Sequence, residues 1–131
     1  MKKNKIICRI EENGTKRWYV NGIIHRTNIP SVISKNGDQG WFFEGNLHRL
    51  DGPAVENKNG YKAWYVHGVP HRLDGPALIF PEGRKEWNIN GLNATDHITP
   101  WAKECGIDLD NLTDVDKLLI KLTWADYNGK V

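Results

Sequence analysis

The sequence predicts a mainly β protein: a single-layer antiparallel sheet of 23-residue hairpin repeats, capped by one or two C-terminal α-helices. Three observations carry this reading. Trp18, Trp41, Trp64 and Trp87 stand 23 residues apart, as do Gly14, Gly37, Gly60 and Gly83, and again Gly22, Gly45, Gly68 and Gly91. A fixed period of this length marks a repeat array, in which each unit buries its apolar side chains against its neighbours. Each unit also carries turn dipeptides such as Asn-Gly between short alternating runs, which is the hairpin signal. After Gly91 the period stops and apolar residues recur every three or four positions instead of every two. The chain therefore divides into a repeat sheet over 1–94 and a helical cap over 95–131. The units start near 14, 37, 60 and 83, behind a half-repeat.

The half-repeat is a strand over Ile6–Glu12 leading into Asn13-Gly14, with Arg9 opposite Trp18 and Cys8, a small structural residue, opposite Tyr19. In the full units, Asn36-Gly37 and Asn59-Gly60 suit the two positive φ angles of a type I′ turn, and Glu82-Gly83 takes the same place. Counting outward from two-residue loops pairs Val32 with Trp41, Val55 with Trp64 and Leu78 with Trp87. Phe43, Val66 and Ile89 share that face, because strand side chains alternate. Trp18, Trp41, Trp64 and Trp87 are thus the expected repeat core. The opposite face pairs Phe42 with Ser31, Tyr65 with Ala54 and Asn88 with Ala77. In the cap, Thr99-Pro100 reads as the N-cap and first position of a short helix that Gly106 stops. A second helix starts at Thr113, with Asp116 completing a capping box. Its Val115, Leu118, Leu119, Leu122 and Ala125 are expected to be buried, with Ile120, Trp124 and Tyr127 widening the apolar arc.

Composition narrows the function classes. With 39% hydrophobic and 26% charged residues, the chain is neither disordered nor membrane-embedded. No apolar run approaches the roughly 18 residues that span a bilayer. Met1 is followed by Lys2 and Lys3 without an apolar signal segment, and the two cysteines form no CxxC pair, so a reducing, cytoplasmic setting is expected. The histidines His25, His48 and His71 would lie roughly 10 Å apart on successive repeats, too far to share a zinc ion. No Ser or Cys nucleophile recurs beside them. No catalytic residue, metal or cofactor is expected. Arg49 and Asp51, and Arg72 and Asp74, are expected to pair across the Asp-Gly-Pro turns; Arg26 faces Asn28 instead and is left free.

Tyr19, Phe42 and Tyr65 form a second aromatic stripe opposite the tryptophans, with Arg26 at its margin. This stripe is the candidate partner-binding site, since apolar patches on a solvated face mark contacts. Its alternative is a second core beneath the cap helix or the N-terminal segment. Charge is uneven: residues 95–131 hold four basic and seven acidic residues, net −3, leaving 14 basic and 9 acidic, net +5, in the sheet. A basic, aromatic sheet keeps single-stranded nucleic acid as the alternative partner and an anionic membrane as a weaker third.

The unit G-x-x-x-W-[YF]-[VF]-x-G-x-x-H-R-x-D-G-P-[AS] resembles the MORN (membrane occupation and recognition nexus) repeat over residues 6–94. The resemblance implies an elongated, twisted antiparallel sheet used for protein or lipid contact, without catalysis. This chain departs from the common pattern in having His-Arg-x-Asp-Gly-Pro-Ala, as over 48–54, in place of Gly-x-Gly. That variant is similar to repeats of small proteins of tailed phages and giant viruses. It implies a phage accessory protein that binds and modulates or inhibits a host protein in the host cytoplasm, as in host takeover or anti-defence.

Overall fold

Each unit makes two kinds of hairpin, and their turns set the register of everything else. The computed structural model describes residues 3–130; Met1, Lys2 and Val131, at the ends of the two expected regions, lie outside the described residues. The opening hairpin is β1 (Ile6–Ile10) and β2 (Lys16–Val20), with β3 (Ile23–Ile24) folded back on β2. Three sets of two-residue strands follow. They are β4 (Val32–Ile33), β5 (Gln39–Gly40), β6 (Phe42–Phe43) and β7 (Asn46–Leu47), then β8 (Val55–Glu56), β9 (Lys62–Ala63), β10 (Tyr65–Val66) and β11 (Val69–Pro70). The last set is β12 (Leu78–Ile79), β13 (Lys85–Glu86), β14 (Asn88–Ile89) and β15 (Leu92–Asn93). Strands β1, β2, β4, β5, β8, β9, β12 and β13 lie side by side in that order in one open antiparallel sheet. Pairs β6–β7, β10–β11 and β14–β15 are separate ribbons, each joined to the sheet through a single tryptophan.

The turn assignment from sequence is corrected. At Asn59-Gly60 the loop has three residues: Gly60 N–H donates to Asn57 O, Asn57 N–H donates to Tyr61 O, and only the glycine has positive φ. This is a type I turn closed by a left-handed glycine, and 11–15, 34–38 and 80–84 repeat it. The type I′ turns lie at the other end of each unit. Asn21-Gly22, Glu44-Gly45, His67-Gly68 and Asn90-Gly91 each have both φ values positive and close two-residue loops.

One extra loop residue moves every facing pair by one and exchanges their faces. Val55 pairs with Ala63, Val32 with Gly40, Leu78 with Glu86, and Cys8 with Trp18. The small residues therefore do not face Phe42 and Tyr65 across the ladder. They lie in the tryptophan row: Trp18 N–H donates to Ser31 O, Trp41 N–H to Ala54 O and Trp64 N–H to Ala77 O, at 2.7–2.9 Å. Large and small side chains alternate across the sheet, and Ser31, Ala54 and Ala77 between the indoles are fully buried. Of the expected core, Trp41 and Trp87 are buried whereas Trp18 and Trp64 are half-buried.

The first helix, α1 (Thr95–Glu104), begins earlier than the Thr99-Pro100 reading, and Pro100 lies inside it. Asn93 Oδ1 accepts the Thr95 amide and Ala94 O accepts from His97 and Ile98, so the helix is already under way when Pro100 enters. It ends at Gly106, φ +70°, where Ile107 N–H donates to Ala102 O and Gly106 N–H to Lys103 O, a Schellman closure. The second helix, α2 (Asp114–Trp124), has Thr113 as N-cap, with the Thr113–Asp116 capping box formed in both directions. Both helices pack on the last repeat. Trp87, Ile89, Ala94, Ile98, Ile120, Trp124 and Tyr127 form one buried cluster flanked by Leu73, Trp101, Leu109 and Leu112. Among the described residues, no helix is long and apolar enough to cross a membrane.

Candidate functional site

The residues singled out by the sequence fall into a repeated inter-repeat joint. Each arginine sets its guanidinium over the tryptophan of its own unit: Arg26 over Trp18 at 4.0 Å, Arg49 over Trp41 at 4.0 Å and Arg72 over Trp64 at 3.8 Å. Each also donates Nη1 to the proline carbonyl four residues on, at 3.1–3.2 Å. Arg49 Nε donates to Asp51 Oδ1 at 3.0 Å and Arg72 Nε to Asp74 Oδ1 at 2.8 Å. Arg26 has no carboxylate at that place, yet it is not free. Its indole and Pro30 hold it as they hold the other two, so its expected freedom is corrected.

The histidines join successive units. His25 Nδ1 accepts the Glu44 amide at 2.8 Å, His48 Nδ1 that of His67 at 2.9 Å, and His71 Nδ1 that of Asn90 at 2.9 Å. Each acceptor reaches the first residue of the next unit's type I′ turn, whose amide the sheet leaves unpaired. The accepting nitrogen must be unprotonated. Burial, then the nearby His67, lowers the His48 pKa from the ordinary imidazole value, and burial lowers that of His71. At Asp74 burial pulls the pKa up, but the hydrogen bond and charge of Arg72 outweigh it and hold the carboxyl below its usual range. Among the described residues, no three His, Cys, Asp or Glu side chains gather where they could hold a metal ion.

Between successive joints the tryptophan face opens into shallow grooves. One of about 530 Å³ is lined by Trp64, Val66, His71, Arg72, Arg49 and Leu50. A second, of about 410 Å³, is lined by Trp41, Phe43, His48, Arg49, His67 and Arg26. Phe43 lies between His25 and His48, with ring centroids at 4.6 and 5.5 Å.

The stripe Tyr19, Phe42 and Tyr65 lies on the other face and is half-buried throughout. It is not under the cap helices, since none of the three belongs to the cluster around Trp87 and Trp124. Phe42 lies over Gly40, where a Cβ would meet its ring at 3.3 Å, and Arg9 stands 5.3 Å from the Tyr19 ring rather than on Trp18. Tyr61 packs against Phe80 with ring centroids at 5.5 Å and planes tilted by 55°, and its pKa is raised by burial and then by Tyr65 and Glu86, so these rings extend the same face. The sequence reading omitted Tyr61 and Phe80, although their 19-residue separation matches that of the histidine staples.

The largest departure is on α2. Val115, Leu118, Leu119 and Leu122 are 74, 57, 40 and 75% exposed, whereas Ile120 and Trp124 face the core. The expected buried stripe is an outward one. The residues read as widening the arc make the contact instead: Ile120, Trp124 and Tyr127 join Trp87 and Ile89 in the buried cluster. No family model, curated protein or solved structure matches this chain.

Proposed function

We propose that the chain is a non-catalytic, MORN-like protein-binding module whose contact surface is the outward stripe of α2. The observation that carries this reading is the spacing and exposure of Val115, Leu118, Leu119 and Leu122. They stand at i, i+3, i+4 and i+7 on one helix face, unlike scattered surface apolar residues, and such contiguous patches mark interaction sites. A partner that packs a groove or helix against this stripe would bury leucines that the fold itself leaves in water. A protein partner is favoured over nucleic acid because the recurring guanidinium groups are occupied: each is stacked on an indole, and two are paired with aspartates. The half-buried row Tyr19, Phe42 and Tyr65, with Arg26 held on Trp18, becomes the secondary surface. The likeness of the His-Arg-x-Asp-Gly-Pro-Ala units to those of small tailed-phage proteins supports a viral accessory role, acting on a host protein in the cytoplasm.

The test is affinity capture from the native cell with the parent chain and with Leu118→Lys/Leu122→Lys. The double variant should lose the captured protein at least tenfold while its melting temperature stays within about 2 °C, as exposed substitutions permit. Capture unchanged by the double variant but lost in Phe42→Ala or Tyr65→Ala would move the site to the other face. Capture of nucleic acid that weakens steeply with salt would replace the protein reading.

A further inference from the structure

The first strand of the sheet is an open edge, and its pattern is complementary to itself. Among the described residues, strand β1 pairs with β2 alone and ends the sheet. Lys5 O accepts the Asn21 amide and the Glu11 amide donates to Thr15 O, both at 2.9 Å, so odd-numbered residues of β1 turn their backbone groups toward β2. Strand alternation leaves the N–H and C=O groups of Ile6, Cys8 and Ile10 pointing outward from the sheet. The side chains of Ile6 and Ile10 are 70 and 68% exposed, and Cys8 is exposed between them. Charge runs along the segment, with Lys3 and Lys5 at its start and Glu11 and Glu12 at its end.

We propose that β1 pairs antiparallel with β1 of a second copy of this chain, with Cys8 opposite Cys8 on the two-fold axis. Four features converge on that register. It matches the outward-pointing residues to one another, so Ile6 and Ile10 of each copy exchange backbone hydrogen bonds with Ile10 and Ile6 of the other. It sets two Ile–Ile pairs on the face that carries Cys8 and Trp18, with Cys8 beside Cys8 continuing that row. It brings Lys5 of each copy opposite Glu11 of the other, where Glu11 already holds Arg17 at 2.6 Å and has a second carboxylate oxygen to offer. Finally, it covers the end of the array opposite the helical cap, at a strand edge of the kind that otherwise invites indiscriminate pairing. The lysines that would discourage pairing of an isolated edge become partners here, because antiparallel pairing reverses the charge gradient. This inference is independent of the α2 contact.

Sedimentation equilibrium of the whole chain tests it, together with cross-linking by a short bismaleimide. The parent should dimerise reversibly, and the dimer should be trapped through Cys8: cross-linked in Cys105→Ser, not in Cys8→Ser. Ile10→Pro removes an outward amide without touching the β2 ladder and should abolish the dimer while the circular dichroism is unchanged. Lys5→Glu should weaken the dimer about tenfold, through two like-charged pairs, and Lys5→Glu/Glu11→Lys should restore it. A monomer at every accessible concentration overturns the proposal. So does a dimer that survives Ile10→Pro, one trapped through Cys105, or one lost in Leu118→Lys instead.

Discussion

Acidification should loosen the repeats through their histidines well before it reaches their carboxylates. His48 and His71 accept backbone amides of the following unit at 2.9 Å through Nδ1, an atom that has no lone pair once protonated. Their pKa values are lowered in the folded chain, by burial in both and by His67 in His48. An unfolded imidazole titrates near about 6.5. Below that pH the unfolded chain takes up protons that the folded chain resists, so the stabilisation is fully present above about pH 6.5 and is lost as pH falls through the lower folded values. One proton held only by the unfolded state gives a slope of at most about 1.4 kcal/mol per pH unit, and solvent around these half-exposed rings reduces it. A loss of about 1 kcal/mol per histidine between about pH 7.5 and about pH 5 matches one neutral hydrogen bond to each turn. Asp74 acts in a separate window. Arg72 holds its pKa down, so its contribution persists above the ordinary carboxylate value near about 3.9 and fades only in stronger acid. Urea unfolding across this range should show the parent losing about 2 kcal/mol, and His48→Gln/His71→Gln, whose amides accept without titrating, losing less than half of that. An equal slope in parent and double variant would refute the staple.

Two further perturbations probe the tryptophan row. Trp87→Ala should cost about 3–5 kcal/mol in denaturant unfolding because the indole is buried beneath the cap, and half-buried Trp64→Ala should cost clearly less; the reverse order would contradict the row as described. Ala54→Leu puts three extra carbons into a fully enclosed site between indoles and should cost about 1–3 kcal/mol, whereas a stability equal to the parent's would mean that the indoles do not enclose it.

The period made the fold class legible, because a 23-residue recurrence of Trp and two Gly columns admits little besides stacked hairpins. What it could not fix was phase. The chain holds Asn-Gly at 21–22 and 90–91 as well as at 36–37 and 59–60, and either set could close a two-residue loop. The deciding fact is tertiary: the histidine of the preceding unit accepts the amide at the first position of the 44–45, 67–68 and 90–91 turns, while 57–61 and its equivalents close on their own backbones. That one choice moved Ser31, Ala54 and Ala77 from beneath the Tyr/Phe stripe into the tryptophan row. The Arg–Asp spacing was readable because an arginine reaches a carboxylate two residues on within one turn. The stacking of Arg26 on Trp18 was not, since it depends on seven intervening residues returning the chain over the indole. On α2 the sequence carries two apolar arcs, and nothing local states which of them meets Trp87.

The tryptophan row also explains why the array ends where it does. In three units a His-Arg pair follows seven and eight residues after the indole, the histidine amide closing on the tryptophan carbonyl and the guanidinium covering the ring. In the fourth unit these positions are Ala94 and Thr95. Ala94 N–H still donates to Trp87 O, at 2.7 Å, so the backbone closes as before. Thr95 then uses its hydroxyl to accept the Trp87 amide at 2.9 Å and becomes the first residue of α1. Losing the imidazole removes the acceptor that would staple a fifth unit, and losing the guanidinium uncovers the indole. Trp87 is enclosed instead in the cluster that holds Ile98 and Trp124, and Ala94 is small enough to be fully buried within it. A charged cover that stays partly solvated is compatible with a further repeat alongside; an apolar helical cover occupies the same face and excludes one. Two adjacent residues therefore separate a unit that propagates the array from a unit that terminates it.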